Sequence, residues 1–141
     1  MAIAANLGFP RIGAHRELKS ATEAFWKGEI DEAALRATAA DLRATHWRRQ
    51  RDAGIGAIPS NDFSFYDQML DMTATLGAVP ERFGPVAGDV PLATYFAMAR
   101  GAAGVPAMEM TKWFDTNYHS IVPERTRDQS FRLASTKAVV S

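Results

Sequence analysis

Apolar residues recur at helical spacing in four stretches of the chain, separated by short apolar runs that glycine and proline bound. Asn6 to Gly13 (NLGFPRIG) sets apolar residues between glycines and one proline, which predicts a short buried strand running into a loop. Leu18, Ala21, Thr22, Phe25 and Trp26 then draw one apolar stripe along a first helix. Lys27 suits the negative end of that helix, and Gly28 ends it. Asp31 is a good N-cap for a second helix, striped by Leu35, Ala39, Leu42 and His46 and running to about Arg51, with Gly54 as its stop. Ile55 to Pro59 reads as a second buried strand, and Ser60, Asn61 and Asp62 as a loop and cap. A third helix is expected from about Phe63 to Leu76, with Tyr66, Met69, Leu70 and Thr73 on its core face and Gly77 beyond it. Pro91 suits the first position of a shorter helix carrying Leu92, Tyr95, Phe96 and Ala99 up to Gly101.

Past Gly101 the pattern changes. Gly101 to Pro106 is a loop, Ala107 to Phe114 (AMEMTKWF) reads as extended, and Asp115, Thr116 and Asn117 are turn formers. Pro123 blocks a simple continuation, and Ser130 to Val140 suits a strand or a helix equally. Strand, helix, strand in succession predicts a helix-rich α/β chain with parallel pairing. An eight-fold (β/α) barrel takes about 250 residues, so this length supplies roughly half of one at most. No internal repeat or flexible linker divides residues 1–141, which therefore read as one unit.

Composition narrows the chemistry. Lys plus Arg and Asp plus Glu both number 16, so the global field offers no general attraction to nucleic acid or to an anionic membrane, and anion binding has to be local. The opening residues lack a basic region and a long apolar run, so the expected compartment is the cytoplasm. With no cysteine, thiolate ligands and cysteine nucleophiles drop out. His15, His46 and His119 share no zinc spacing.

Two places remain as candidates for chemistry. Arg16, Glu17, Leu18 and Lys19 open the first helix, and two cations there oppose the positive end of the helix dipole unless an anion docks between them. By charge pattern alone, solvated side chains offset by Glu17 are the simpler reading. Lys112 sits among large apolar neighbours in Glu109 to Phe114; it is either a snorkelling surface lysine or a cation whose reach those neighbours restrict. His119 lies close by, and a histidine with no paired carboxylate or nucleophile is more often structural. The glycines at Gly8 and Gly13 lack the Lys and Ser or Thr of a phosphate loop, and Arg48, Arg49 and Arg51 fit the last turn of a helix.

Three segments together exceed what pattern supplies. They are Leu7-Gly8-Phe9-Pro10-Arg11-Ile12-Gly13 leading into Arg16-Glu17-Leu18-Lys19, then Asp62-Phe63-Ser64-Phe65-Tyr66-Asp67, then Glu109 through His119 (EMTKWFDTNYH). In order and separation the chain resembles the N-terminal part of cobalamin-independent methionine synthase, along essentially its whole length. The resemblance implies the first part of an N-terminal (β/α) barrel of the TIM type. The activity it implies is zinc-dependent methyl transfer from 5-methyltetrahydropteroyltri-L-glutamate to L-homocysteine, making methionine. It further implies that Arg16, Glu17, Leu18, Lys19 and Lys112 contact the folate substrate, and that zinc is held by His, Cys and Glu residues of a C-terminal barrel. Those ligands have no counterpart here, so this chain is expected to hold no catalytic residue and no metal, and to be inactive alone. Two other readings stay open: a stand-alone, non-catalytic binder of folylpolyglutamate or another polyanion, and a structural partner completing a separately encoded C-terminal half.

Overall fold

Asp31 opens the longest described helix as its side chain leads one to expect, its carboxylate accepting the Ala34 N–H at 2.8 Å. The computed structural model describes residues 2–133. Its contacts divide into two units between Phe65 and Tyr66.

The first unit is a helix pair. Helix α1 spans Glu17–Trp26 and α2 spans Glu32–Asp52. Leu18 and Thr22 of α1 and Leu35, Ala39, Arg43, His46 and Gln50 of α2 are buried at helical spacing. Arg43 takes the place in the stripe expected of Leu42. Its guanidinium lies 5.1 Å from the centre of the Phe63 ring, so a cation–π contact replaces an aliphatic one. Burial lowers the Arg43 pKa from its ordinary value, and the charge of Arg36 adds to this.

The buried strand expected over residues 6–13 does not form. Leu7 is fully exposed, and the segment is a strap fastened by side chains. Asn6 Nδ2 donates to Gln50 Oε1 at 2.8 Å, the Phe9 N–H to Asp62 Oδ2 at 2.8 Å, and Arg11 Nε to the Ser64 carbonyl at 2.7 Å. Pro10 has no N–H to give a ladder, which favours side-chain fastening over strand pairing. The second expected strand, residues 55–59, contributes one parallel bridge, Ala57 to Ala5. Parallel pairing among the described residues is confined to that bridge.

In the second unit the third helix starts later than its apolar pattern suggests. Phe63, Ser64 and Phe65, which close the first unit, are buried but not helical, and α3 is Gln68–Thr75. Asp67 caps it by accepting the Leu70 N–H at 3.1 Å. The shorter helix turns Leu70, Asp71, Thr73 and Ala74 inward and leaves Met69 exposed, against expectation. A 3-10 turn at Glu81–Phe83 precedes α4, Leu92–Arg100, whose Leu92, Tyr95, Phe96 and Ala99 are buried as expected. Gly101 ends it at φ 80, where a Cβ would come within 3.0 Å of the Val105 carbonyl.

The only sheet among the described residues is antiparallel. Strand β1, Met110–Lys112, pairs with β2, His119–Ile121, in the register Met110 to Ile121, Thr111 to Ser120 and Lys112 to His119. A hairpin suffices because the turn formers after Phe114 let the chain reverse at once, whereas parallel strands need a long crossover. The expectation for residues 130–140 lies largely outside the described residues.

Beneath the hairpin is a buried polar network. Asp67 Oδ1 accepts the Tyr118 hydroxyl at 2.7 Å, and Oδ2 accepts the Ile121 N–H at 3.1 Å. The Tyr95 hydroxyl donates to Asp71 Oδ1 at 2.6 Å and accepts the Tyr66 N–H at 3.1 Å and the Asp67 N–H at 3.4 Å. Burial, with the adjacent Asp71 charge, raises the Tyr95 phenol well above its ordinary pKa, so it remains a proton donor.

Candidate functional site

The turn into α1 is built from two left-handed residues. Gly13 has φ 90, and a Cβ there would lie 2.1 Å from Glu17 Oε2 and 2.9 Å from Leu42 Cδ2. Arg16, at the N-cap of α1, has φ 64 and ψ 32, a region that costs a non-glycine residue about 1–2 kcal/mol. The Leu18 N–H is turned back to the Ile12 carbonyl at 3.1 Å, joining the strap to the first turn.

The four predicted residues of this turn divide by environment. Leu18 is 1% exposed, so its side chain is a core residue that fixes where its neighbours stand. Glu17 Oε2 accepts the His15 N–H at 2.9 Å. Its own N–H and that of His15 hold its pKa below the ordinary carboxylate value. Lys19 Nζ lies 2.5 Å from Glu23 Oε1 one turn on, both half-exposed, and the hydrogen bond from Lys19 lowers the Glu23 pKa. The Arg16 side chain is exposed and has no hydrogen-bond or ion-pair partner among the described residues. Two cations therefore frame the helix start: Lys19 is paired with Glu23, and Arg16, without an ion pair among the described residues, acts on Glu23 by its charge.

Beside that start, a cleft of about 320 Å³ is lined by residues including Glu17, Asp41, His46 and Arg49. His46 is buried, with its ring 4.6 Å from that of Phe9. Burial and the nearby Arg49 charge lower its pKa, which favours the neutral ring.

In the second unit Lys112 is exposed at the end of β1, opposite His119. The pleat sends Thr111 and Trp113 to the other face, where with Met69, Tyr118 and Pro123 they line an apolar cleft of about 400 Å³. Phe114, 79% exposed at φ 47, follows, its ring edge-on to Trp113 at 5.0 Å. Arg16 and Phe114 are the two non-glycine residues with positive φ among the described residues, one beside each predicted contact. Backbone strain held at two such places is a reason to look for function there.

Sequence reading missed Asp67 as the residue that fastens the hairpin to α3. The signal was present as an Asx residue three before Leu70, but Asp62 competed for the same role.

No group of three or more His, Asp or Glu among the described residues is placed to hold an ion, and the sequence has no cysteine. The zinc of the resembling family finds no ligand set in these residues.

The chain belongs to the cobalamin-independent methionine synthase family: residues 3–141 match the model described as "Cobalamin-independent synthase, N-terminal domain". Among curated relatives, it is 57% identical over 148 aligned residues to the 5-methyltetrahydropteroyltriglutamate--homocysteine methyltransferase of Salinibacter ruber, with 99% of this chain and 19% of that protein covered. To the protein of the same name from Acidithiobacillus ferrooxidans (strain ATCC 53993 / BNL-5-31) it is 61% identical over 130 residues, 92% of this chain and 17% of that one. The chain thus spans about a fifth of the length of the curated relatives it matches.

Proposed function

We propose that this chain is the folate-binding N-terminal part of a methyltransferase that moves a methyl group from 5-methyltetrahydropteroyltri-L-glutamate to L-homocysteine, and that it grips the substrate's oligoglutamate tail. Arg16 and Lys19 meet one part of the tail, with Glu17 and Leu18 setting the turn that presents them, and Lys112 meets another. The barrel of which the chain would form the first part is the first of the family's two. The observation that carries the reading is Arg16, an exposed cation with no ion pair among the described residues, held in a strained conformation at a helix start.

The chemistry agrees. A γ-linked glutamate tail is a string of carboxylates, and neighbouring exposed cations favour such charges. A tail carboxylate that draws Lys19 away from Glu23 exchanges one exposed ion pair for another at little cost. Methyl transfer itself needs a deprotonated thiol, which zinc supplies in the family. With no cysteine to ligate zinc, the chain alone is expected to bind and not to turn over.

Calorimetry with pteroyl mono-, di- and tri-γ-L-glutamate tests this. Affinity is expected to rise severalfold with each added glutamate and to fall as salt is raised. Equal affinity for the three ligands would overturn the tail-binding assignment, and methyl transfer to homocysteine by the chain with zinc added would overturn the assignment of inactivity.

A further inference from the structure

The residue opposite Lys112 is His119, and the hairpin's hydrogen bonds show how close the two stand. The Trp113 N–H donates to the Tyr118 carbonyl at 2.8 Å, and the Val122 N–H to the Glu109 carbonyl at 2.8 Å. In an antiparallel ladder hydrogen-bonded pairs alternate with open ones, so Lys112 and His119 form an open pair. Side chains of such pairs emerge on one face with Cα atoms about 4.5 Å apart, the closest cross-strand approach a sheet offers. Both are exposed.

The protonation of His119 is constrained by its neighbour. Nδ1 lies 3.1 Å from the Asn117 carbonyl, which can only accept, so Nδ1 carries the hydrogen. In the neutral ring Nε2 then presents a lone pair, which repels an approaching carboxylate. Only the imidazolium offers a donor there.

The carboxylates packed around the hairpin are otherwise engaged or turned away. Asp67 accepts from Tyr118, Leu70 and Ile121, and Asp71 accepts from Tyr95. Glu109 is on the opposite face by strand alternation, and Asp115 is in the turn. Neither Lys112 nor His119 has an ion pair among the described residues.

We infer that His119 is a second, protonation-dependent contact for the carboxylate that Lys112 meets, so that tail binding takes up a proton at Nε2. The inference rests on the proposed tail-binding role of Lys112. It adds a specificity residue: a carboxylate bridging the pair neutralises two cations that would otherwise repel across the strands. The extra contact is made by the protonated ring and is absent from the neutral one.

The test is calorimetry of the 141-residue chain with pteroyltri-γ-L-glutamate between pH about 5.5 and 7.5, in buffers of different ionisation enthalpy, alongside His119→Gln and Lys112→Ala. The unaltered chain should take up a fraction of a proton on binding and lose about three- to tenfold in affinity across that range, and His119→Gln should flatten both. If Lys112→Ala weakens binding while His119→Gln leaves proton uptake and pH profile unchanged, this inference fails and tail binding at Lys112 stands. If Lys112→Ala leaves affinity unchanged, or the chain shows no binding, the tail-binding reading fails and this inference with it.

Discussion

Replacing Asp67 with alanine should destabilise the second unit by about 3–5 kcal/mol, the largest stability effect expected of a single substitution here. The carboxylate is buried and accepts from the Leu70 and Ile121 N–H groups and from the Tyr118 hydroxyl. Alanine removes the α3 cap and leaves two backbone donors without an acceptor in a place water does not reach. Asn, which keeps one acceptor oxygen but no charge, should cost roughly half as much. Urea unfolding followed by circular dichroism measures both, and a loss below about 1 kcal/mol for alanine would show that the hairpin is held in some other way.

Neutralising Arg16, Lys19 and Lys112 together should lower affinity for pteroyltri-γ-L-glutamate by about 10- to 100-fold while leaving the unfolding midpoint nearly unchanged. The three cations are exposed, and Lys19 alone has an ion-pair partner among the described residues. Exposed pairs contribute little each, so the loss has to come from several carboxylates released at once. The effect should shrink at high salt. A triple variant that binds as tightly as the unaltered chain would remove the charge argument altogether.

How much of this was readable beforehand differs between elements for physical reasons. Helices α1, α2 and α4 were legible because their buried residues repeat at one period and their ends carry strong signals: Asp31 as a cap, and Gly28, Gly54 and Gly101 as stops, all at positive φ. The start of α3 was not. Phe63, Ser64 and Phe65 form a short apolar run whose burial fits a helix or an extended segment, and the choice was made by two aspartates, Asp62 bonding to the strap and Asp67 to the helix. The strand expected over residues 6–13 failed because its hydrogen bonds run to residues more than forty positions away, which no local pattern encodes. Residues 107–114 read as extended, and 110–112 of them are strand, but their partner from His119 was hidden behind a turn.

The candidate site divides in the same way. Sequence put Leu18 both on the apolar stripe of α1 and among the expected substrate contacts, and its burial assigns the side chain to the core, with the cations Arg16, Lys19 and Lys112 exposed. Sequence could not reveal that Arg16 and Phe114 sit in left-handed backbone, because that depends on the turns closing around them. Asp67, which holds the hairpin to α3, was passed over because Asp62 offered itself as the cap.

The account turns on why an arginine occupies a position that glycine would fill with less strain. Arg16→Gly, measured for both unfolding free energy and affinity for pteroyltri-γ-L-glutamate, answers this directly. The expected result is stability unchanged or raised by up to about 1 kcal/mol, with affinity lowered severalfold. Stability lost with affinity intact would mean that the guanidinium serves the fold and not the ligand, and would contradict the account.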